Sequence, residues 1–433
     1  MIRSCLVLPL LLSACNPHAF DEFVAPGEAT KRDAGRQPRD ASIIDAAPEE
    51  EGSDDEVEPT ARRDASFPVD RDAANEVDAA APDDAGMPPG TKDSCGQLRP
   101  AQPMRPGIED GGVVFAASIA QNPQLSARSV TDIASFGGRF WWLFGPSFKP
   151  NAWVLENTDS VASSSEQQPY ALDEAAANVP PPPSFIPTLD ADRMAVGSNQ
   201  QLAHLTGSVI VPPLFGDGLI FYAPSVLSGS EDTFNLRPLG TRVATVRVNG
   251  TQATATPLPQ LLFGPDKLSF RFGLREGSYV YLYGCQRNPG GDSNCMVARA
   301  PLSQATNGAN YQFRTSGGWS NDYSAASYVL FNARDELSVS YNEFLRSFLA
   351  VHLRGVESVI VLQTAPRPEG PWQVLDEIPV PPPPSGGLLT HFTAIEHPEL
   401  ATQCGRKLVL TYLHGSLPGV LKRVEVTLRQ APR

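Results

Sequence analysis

The sequence lacks the signature motifs of several large enzyme classes. It contains no Gly-x-Ser-x-Gly turn, no Gly-x-x-x-x-Gly-Lys loop and no His-Glu-x-x-His helix, so it offers no nucleophile elbow, phosphate cradle or zincin site. Its 6 histidines are scattered, and no metal site is predicted from them. Long apolar runs are also missing after the first fifteen residues, so no second stretch is predicted to span a membrane.

Basic charge is scarce where nucleic-acid binding would need it. Residues 94–433 carry 27 Asp and Glu against 25 Lys and Arg, and this near-neutral balance argues against a nucleic-acid partner. Residues 16–93 carry 21 acidic against 8 basic residues and repeat the dipeptide Asp-Ala. Few aromatics and many like charges cannot bury enough surface to fold, so this segment is predicted to be a disordered linker. The alternative is an acidic tail that binds cations.

The first fifteen residues are typical of an export signal. Arg3 precedes the apolar residues 6–12, and Leu12-Ser13-Ala14-Cys15 ends the stretch, which is too short to span a bilayer. It resembles a bacterial lipoprotein signal, and this implies cleavage before Cys15, lipidation of that thiol and attachment to the membrane through lipid alone. Asn16, where inner-membrane lipoproteins carry Asp, favours the outer membrane of the cell envelope. The alternative is an ordinary signal peptide with a chance cysteine.

The chain therefore divides into a signal peptide (1–14), a lipidated linker (15–93) and a folded domain (94–433). Export to an oxidising compartment predicts two disulfides among the four cysteines of the folded domain. The turn sequence Asn288-Pro289-Gly290-Gly291 favours pairing Cys285 with Cys295, which leaves Cys95 with Cys404. Zinc is the competing interpretation, but neither Cys-x-x-Cys spacing nor a nearby His pair is present.

Five weak repeats organise the folded domain. Each has a turn, a dense aromatic or β-branched run, a polar loop and a second apolar run; in the first repeat these runs are residues 140–144 and 153–155. Such runs are typical of strands, and hairpin repeats of this length predict an all-β, five-bladed β-propeller preceded by a disordered acidic linker. A β-sandwich or two small barrels is the alternative. The repeats start at Gly138, Gly216, Gly277, Arg346 and Arg406.

Several segments resemble a known family. Thr131-Asp132-Ile133 and the residues that follow, 137–145, resemble blade one of five-bladed propellers related to glycoside hydrolase family 43. They are more similar to the bacterial domains of unknown function numbered 4185, as are residues 336–342, 364–372 and 395–400. The resemblance implies a propeller over most of residues 110–430 and, because some relatives cleave glycans, sugar chemistry. It implies no cofactor, although propellers of this class sometimes hold a central calcium ion.

Carboxylates are the candidate catalytic groups, because glycoside hydrolysis needs two carboxyl groups about 5–10 Å apart. The resemblance places Asp132 at the acidic position of blade one, but Phe144-Gly145-Pro146-Ser147 stands where the family has Phe-Gly-Asp-Thr. A partner must therefore come from Glu336, Asp322 or Glu399. We assign Asp132 as base or nucleophile and Glu336 as acid. The alternatives are a strand-end carboxylate for Asp132 and a solvated turn residue for Glu336.

The missing blade-one carboxylate favours glycan binding over hydrolysis. Two functions stay open: a monomeric envelope lipoprotein that binds a polysaccharide or surface glycan, and a surface hydrolase that cleaves an arabinan-like polysaccharide. Aromatic rings stack on sugars and carboxylates accept hydrogen bonds from hydroxyls. For His397 and Glu399, a structural role in a Pro-containing turn is the alternative. The predicted binding residues are Trp142, Trp319, Tyr323, Asp322, His397 and Glu399.

Overall fold

A computed structural model describes the greater part of residues 106–429. The predicted signal peptide and linker, with Cys15 and Cys95, lie outside the described residues. No helix in the described part of the chain is long and apolar enough to cross a bilayer. The described ranges are 106–125, 128–149, 154–176, 178–198, 200–210, 217–228, 235–288, 293–333, 336–354, 358–382, 391–415 and 419–429.

The first strand and the first two blades occupy the N-terminal half of the described chain. Blade 1 has the strand order β2-β3-β6, with β4 and β5 paired beside it, and blade 2 has the order β11-β10-β8-β7, with β9 on β8. The strands are β1 (Gly107–Ser118), β2 (Val130–Phe136), β3 (Arg139–Phe144), β4 (Ser147–Phe148), β5 (Leu155–Asn157), β6 (Ser160–Ser165), β7 (Gln201–Ile210), β8 (Asp217–Ser228), β9 (Asn235–Pro238), β10 (Thr241–Asn249) and β11 (Gln252–Phe263). The short helix α1 (Asp190–Met194) joins the two blades.

The remaining three blades follow in chain order. Blade 3 has the order β12-β13-β14-β15-β16, with β17 also on β14, and blade 4 has the order β18-β19-β20-β21. The strands are β12 (Phe270–Glu276), β13 (Tyr279–Arg287), β14 (Ser293–Pro301), β15 (Gln312–Thr315), β16 (Gly318–Ser320), β17 (Tyr328–Ala333), β18 (Leu337–Asn342), β19 (Ser347–Arg354), β20 (Val359–Ala365), β21 (Gln373–Pro379), β22 (His391–Glu396), β23 (Lys407–His414) and β24 (Val420–Arg429). Short 3-10 turns lie at Leu302–Gln304, Gly308–Asn310, Tyr323–Ala325 and Pro398–Leu400.

Blade 5 closes the molecule with strands from both ends of the described chain. β22, β23 and β24 are consecutive, and β1 adds to the outer edge of β24 as an antiparallel partner. The innermost strands of the five blades contact one another in a closed ring, in the order β2, β7, β12, β18, β22 and back to β2. The predicted five-bladed β-propeller is therefore confirmed.

Apolar packing between neighbouring blades holds this ring together. One cluster of buried side chains lies at each of the five blade boundaries. At the boundary of blades 1 and 5, for example, Trp142 packs with Val409 and Leu421. Burying a large apolar side chain contributes about 1.5–3 kcal/mol, so these boundaries supply much of the stability and fix the inner strands around the axis.

Most strands that the five repeats predicted are present in the structure. A Gly137-Gly138 turn with positive φ at both residues joins β2 to β3, as expected for a two-residue hairpin. The predicted partner of residues 140–144 was wrong, because β3 pairs with β6, whose sequence Ser-Val-Ala-Ser-Ser-Ser carries little strand signal. Residues 151–153 lie outside the described part.

One of the two predicted disulfides is confirmed. Cys285 and Cys295 are opposite each other on β13 and β14 and are bonded. Cys404 is also disulfide-bonded. Since Cys95 lies outside the described residues, its pairing with Cys404 stays a prediction.

Candidate functional site

The innermost strands bring polar groups together at the axis of the propeller. Thr131 of β2 and Thr206 of β7 are hydrogen-bonded through their hydroxyls at 2.9 Å. Two hydrogen bonds link β7 to β12, the inner strand of blade 3. The Arg271 guanidinium donates to the carbonyl oxygen of Thr206 at 2.9 Å, and the Gly273 amide donates to Ser208 Oγ at 3.0 Å. Hydrogen bonds that involve side chains thus connect neighbouring inner strands, and the axis is polar.

Asp132 lies on β2 within this polar ring. Its side chain is half-buried between two buried neighbours, Thr131 and Ile133. Asp132 Oδ2 accepts a hydrogen bond from the Val209 amide of β7 at 2.6 Å, and Oδ1 accepts one from the Ile133 amide at 2.9 Å. Burial raises the pKa of Asp132 to about 7, and the two amide donors only partly oppose this rise.

Glu399 faces Asp132 from the other side of the blade 1 and blade 5 boundary. It lies in the 3-10 turn Pro398–Leu400 that follows β22. Burial and, next, repulsion from Asp132 raise the pKa of Glu399 well above its usual range, and Glu396 adds to the repulsion. Glu399 is nevertheless exposed to solvent, and Asp132 is half-buried. Solvent therefore reaches both residues.

Glu396 is the buried member of the same acidic cluster. At the end of β22 it is only 1% exposed, its Oε2 accepts from Ser340 Oγ at 2.6 Å, and its amide donates to Ser338 Oγ at 2.7 Å. Burial raises the pKa of Glu396 to about 7, against the opposing effect of the Ser340 hydrogen bond. We define Asp132, Glu396 and Glu399 as the axial carboxylates.

The axial carboxylates have no cationic neighbour among the groups that shift their pKa values. Crowded carboxyl groups without a cation share protons rather than ionise together. Among the residues described, no group of three or more His, Cys, Asp or Glu side chains is arranged to hold a metal ion. The cluster therefore presents both hydrogen-bond donors and acceptors near neutral pH, which suits a ligand rich in hydroxyls.

Two predicted binding residues lie in the interior instead. Trp142 is fully buried, and its indole nitrogen donates to Ser164 Oγ at 3.0 Å. His397 is also fully buried, packs against the Trp142 ring with centroids 5.6 Å apart, and lies 2.7 Å from Thr411 Oγ1 through Nε2. Burial lowers the pKa of His397 to about 3. Neither side chain can reach a ligand, so for both of them the structure contradicts the assignment to binding.

Three other predicted binding residues lie at the outer edge of blade 3, away from the axial strands. Trp319 is on the outermost strand β16 and contacts the guanidinium of Arg299, 4.2 Å from its ring centroid. Asp322 caps the turn Tyr323–Ala325 by accepting from the Ser324 amide at 2.9 Å. The hydroxyl of Tyr323 accepts from the Leu268 amide at 3.1 Å, and its ring packs on Phe313. These residues do not join Asp132 in one site.

Glu336, predicted to be the catalytic acid, directly precedes β18, the innermost strand of blade 4, and is half-buried. Asp132 is the carboxylate that contributes most to the raised pKa of Glu399, and the turn that holds Glu399 contacts β2. The assignment of Glu336 as the acid stays a prediction. Glu396 was not predicted. The sequence feature that could have pointed to Glu396 is its position directly after the apolar residues of β22, within the segment 395–400.

Solved structures of glycosidases are similar to this chain at low identity. The catalytic domain of a GH62 alpha-L-arabinofuranosidase from Coprinopsis cinerea is 11% identical, with a TM-score of 0.43 over 75% of this chain and 97% of that one. The GH43_1 enzyme from Xanthomonas citri complexed with xylotriose is 12% identical, with a TM-score of 0.43 over 73% and 91%. An exo-beta-1,3-galactanase from Phanerochaete chrysosporium with galactose is 11% identical, with a TM-score of 0.41 over 72% and 64%. These likenesses say nothing about what this chain binds or does.

A search of curated proteins found no match. The family model described as Domain of unknown function (DUF4185) matches residues 243–391, from β10 of blade 2 to the start of β22. Asp132, Glu396 and Glu399 lie outside the matched residues. Over residues 243–391, the predicted resemblance to the domain of unknown function DUF4185 is confirmed.

Proposed function

We propose that this protein binds a saccharide at the axial carboxylates. The observation that carries the proposal is the contact between β2, which holds Asp132, and the turn Pro398–Leu400, which holds Glu399; Glu399 is exposed and Asp132 is half-buried. Sugar hydroxyls both donate and accept hydrogen bonds, and a carboxylate beside a protonated carboxyl group offers both partners. Because none of the groups that shift the pKa values of these carboxyl groups is cationic, a neutral saccharide fits the site better than an anionic one.

The rigid inner strands support this function. Asp132 is fixed by amide donors from two strands, and Glu396 is fixed by two serines of β18. A site whose acceptors are already oriented loses less conformational entropy when a ligand binds. Glu396 itself is buried and does not touch the ligand; its charge adds to the rise in the pKa of Glu399.

The test is equilibrium binding of the purified protein to a panel of neutral oligosaccharides and polysaccharides. Asp132→Asn and Glu399→Gln are isosteric changes that alter the axial hydrogen-bond pattern. Each is expected to weaken binding of any saccharide found by about tenfold, since a hydrogen bond to a charged group contributes about 1.5–3 kcal/mol. Asp322→Asn is the matched control on blade 3. Equal affinity of Asp132→Asn and the unmodified protein would contradict the proposal.

Hydrolysis of the bound saccharide is a second candidate function, and one observation favours it. Burial raises the pKa of both Asp132 and Glu399, and repulsion from Asp132 raises that of Glu399 further. Two neighbouring carboxyl groups that hold one proton between them can serve as acid and as base or nucleophile. In this scheme Glu399 protonates the glycosidic oxygen, and Asp132 activates water or attacks the anomeric carbon.

The hydrolytic scheme makes a pH-dependent prediction. Asp132 must be ionised and Glu399 protonated, so the release of reducing ends should rise as the pH passes about 7. Asp132→Asn and Glu399→Gln should each abolish the release. No release from any polysaccharide, together with retained binding, would leave the binding function alone.

We also propose that the protein is a lipoprotein of the cell envelope, anchored through Cys15 to the outer membrane. The support is the order of charge, apolar residues and cysteine in the first fifteen residues. Fractionation of cells that express the protein and a Cys15→Ser variant tests this proposal. The unmodified protein should stay with outer-membrane vesicles and the variant should not, and the same distribution of both proteins would contradict lipid anchoring.

A further inference from the structure

A second candidate site lies at the periphery of the propeller, between blades 3 and 4. It is a groove of about 700 Å³ between β15 and β17 on one side and the loop before β21 on the other. A smaller cavity of about 210 Å³ continues along β17 and the same loop. We define the larger groove by Arg314, Tyr328, Arg367 and Glu369 and call it the outer groove.

The outer groove contains two guanidinium groups, those of Arg314 and Arg367, and one carboxylate, that of Glu369. Arg314 on β15 and Arg367 on the loop both line it. Among the described residues, neither forms an ion pair or a side-chain hydrogen bond, although Arg314 lies 6.0 Å from the Trp319 ring centroid. A guanidinium offers a rigid fork of donors that matches a carboxylate in two places. Two such forks in one groove favour an anionic ligand.

The remaining lining of the outer groove suits a sugar chain. Ser316 and Ser327 add hydroxyl groups on the β15 and β17 side. The adjoining cavity is lined by Phe331, which is 53% exposed, and by Trp372, whose indole nitrogen is buried without a hydrogen-bond partner. Aromatic side chains combined with a few polar groups are typical of ligand-binding sites. Such a lining suits a sugar, whose ring can pack on an aromatic side chain while its hydroxyl groups bind the polar groups.

The loop that forms the far wall is fixed in place. The carbonyl of Pro368 accepts a hydrogen bond from the buried Tyr283 hydroxyl of β13, and the Gly370 amide donates to the Arg367 carbonyl at 2.9 Å. Trp372 packs against the Tyr283 ring, with centroids 6.5 Å apart. The backbone of the loop at Arg367 is therefore held against blade 3.

We propose that the outer groove binds a polysaccharide that carries carboxylates, such as a chain of uronic acids. The proposal rests on the proposed function, because it takes the occupant of the groove to be a saccharide. Each guanidinium would pair with a sugar carboxylate, and the serine hydroxyls and the exposed aromatics would contact the sugar rings. The axial site and the outer groove would then select neutral and acidic saccharides respectively.

The test measures binding of polygalacturonate to the purified full chain. Arg314→Gln with Arg367→Gln should weaken this binding by about tenfold or more, because both charge-assisted contacts are lost. Arg193→Gln with Arg237→Gln removes the same charge from exposed positions of α1 and β9 and should leave binding unchanged. Asp132→Asn should also leave it unchanged, which separates this inference from the axial site.

Three results would overturn the inference. If polygalacturonate fails to bind to the unmodified chain, the ligand is excluded. If the Arg193 and Arg237 double variant weakens binding as much as the groove variant does, the effect is one of net charge alone. If a peptide rich in Asp and Glu competes with polygalacturonate at equal carboxylate concentration, the occupant of the groove is an acidic peptide. Failure of neutral saccharides to bind would contradict only the axial proposal.

Discussion

Two blade boundaries of this propeller carry opposite charge. At the axial boundary of blades 5 and 1, three carboxyl groups have raised pKa values, and no cationic group contributes to these shifts. At the boundary of blades 3 and 4, two arginines without ion pairs among the described residues line one groove together with Glu369. The near-neutral charge of residues 94–433 is therefore an average over two regions of different charge. Total charge describes solubility better than it describes what a surface can bind.

The two boundaries also differ in how deeply their aromatics are buried. Trp142 is fully buried between blades 5 and 1, whereas Trp319 on blade 3 is only half-buried under Arg299. We expect Trp142→Ala to lower the free energy of unfolding by about 3–5 kcal/mol, because it leaves a cavity beside the axial site. Trp319→Ala should cost clearly less. Denaturant unfolding measures the loss of unfolding free energy in each variant. Equal losses would contradict the difference in burial between the two boundaries.

The charge of the axial boundary should itself be destabilising at high pH. Because the pKa of Glu396 is raised from 4.5 to about 7, the folded protein keeps a proton that the unfolded chain has released. The stability due to neutral Glu396 is complete below pH 4.5 and is lost as the pH rises through about 7.

Glu396→Gln removes this ionisation while keeping the shape and the acceptor for Ser340. At pH 8 the variant is expected to be more stable than the unmodified protein by about 3 kcal/mol, and at pH 4 the two should be alike. Thermal or denaturant unfolding at both pH values checks the difference. Arg354→Gln, which removes a charge from a half-exposed ion pair with Glu377, should show no such pH dependence.

The smallest effect is expected at the outer edge of blade 3. Asp322 is exposed, and among the described contacts its side chain accepts hydrogen bonds only from Ser324. Asp322→Ala should leave saccharide binding at both sites unchanged, because the residue belongs to neither boundary. A binding assay with one neutral and one acidic polysaccharide measures this. Loss of either binding activity would show that the binding surface extends beyond the two sites.

The repeats of the sequence predicted the fold because the middle hairpin of each blade is rich in aromatic and β-branched residues. The runs that start after Gly138, Gly216, Gly277, Arg346 and Arg406 are β3, β8, β13, β19 and β23. β6 escaped prediction because serines fill it, and its pairing with β3 is set by the blade.

The site was predicted less completely, since convergence at the axis depends on how the inner strands are wound. The sequence identified both Asp132 and Glu399 as candidates, with Glu399 as one of three possible partners of Asp132, but it could not show which of the three lies nearby. Glu396 was not identified, because it follows the apolar residues of a strand without any further signal. Trp142 and His397 were assigned to binding because stacking aromatics and core aromatics have the same residue types. Only their burial distinguishes the two roles.

Binding of a neutral saccharide by the unmodified protein and by the Asp132→Asn, Glu399→Gln double variant tests the central claim most directly. Isothermal titration at pH 7 should show heat of binding for the unmodified protein and none for the double variant, while a cooperative denaturant unfolding transition shows that both proteins are folded. Undiminished affinity in the double variant would contradict an axial carboxylate site.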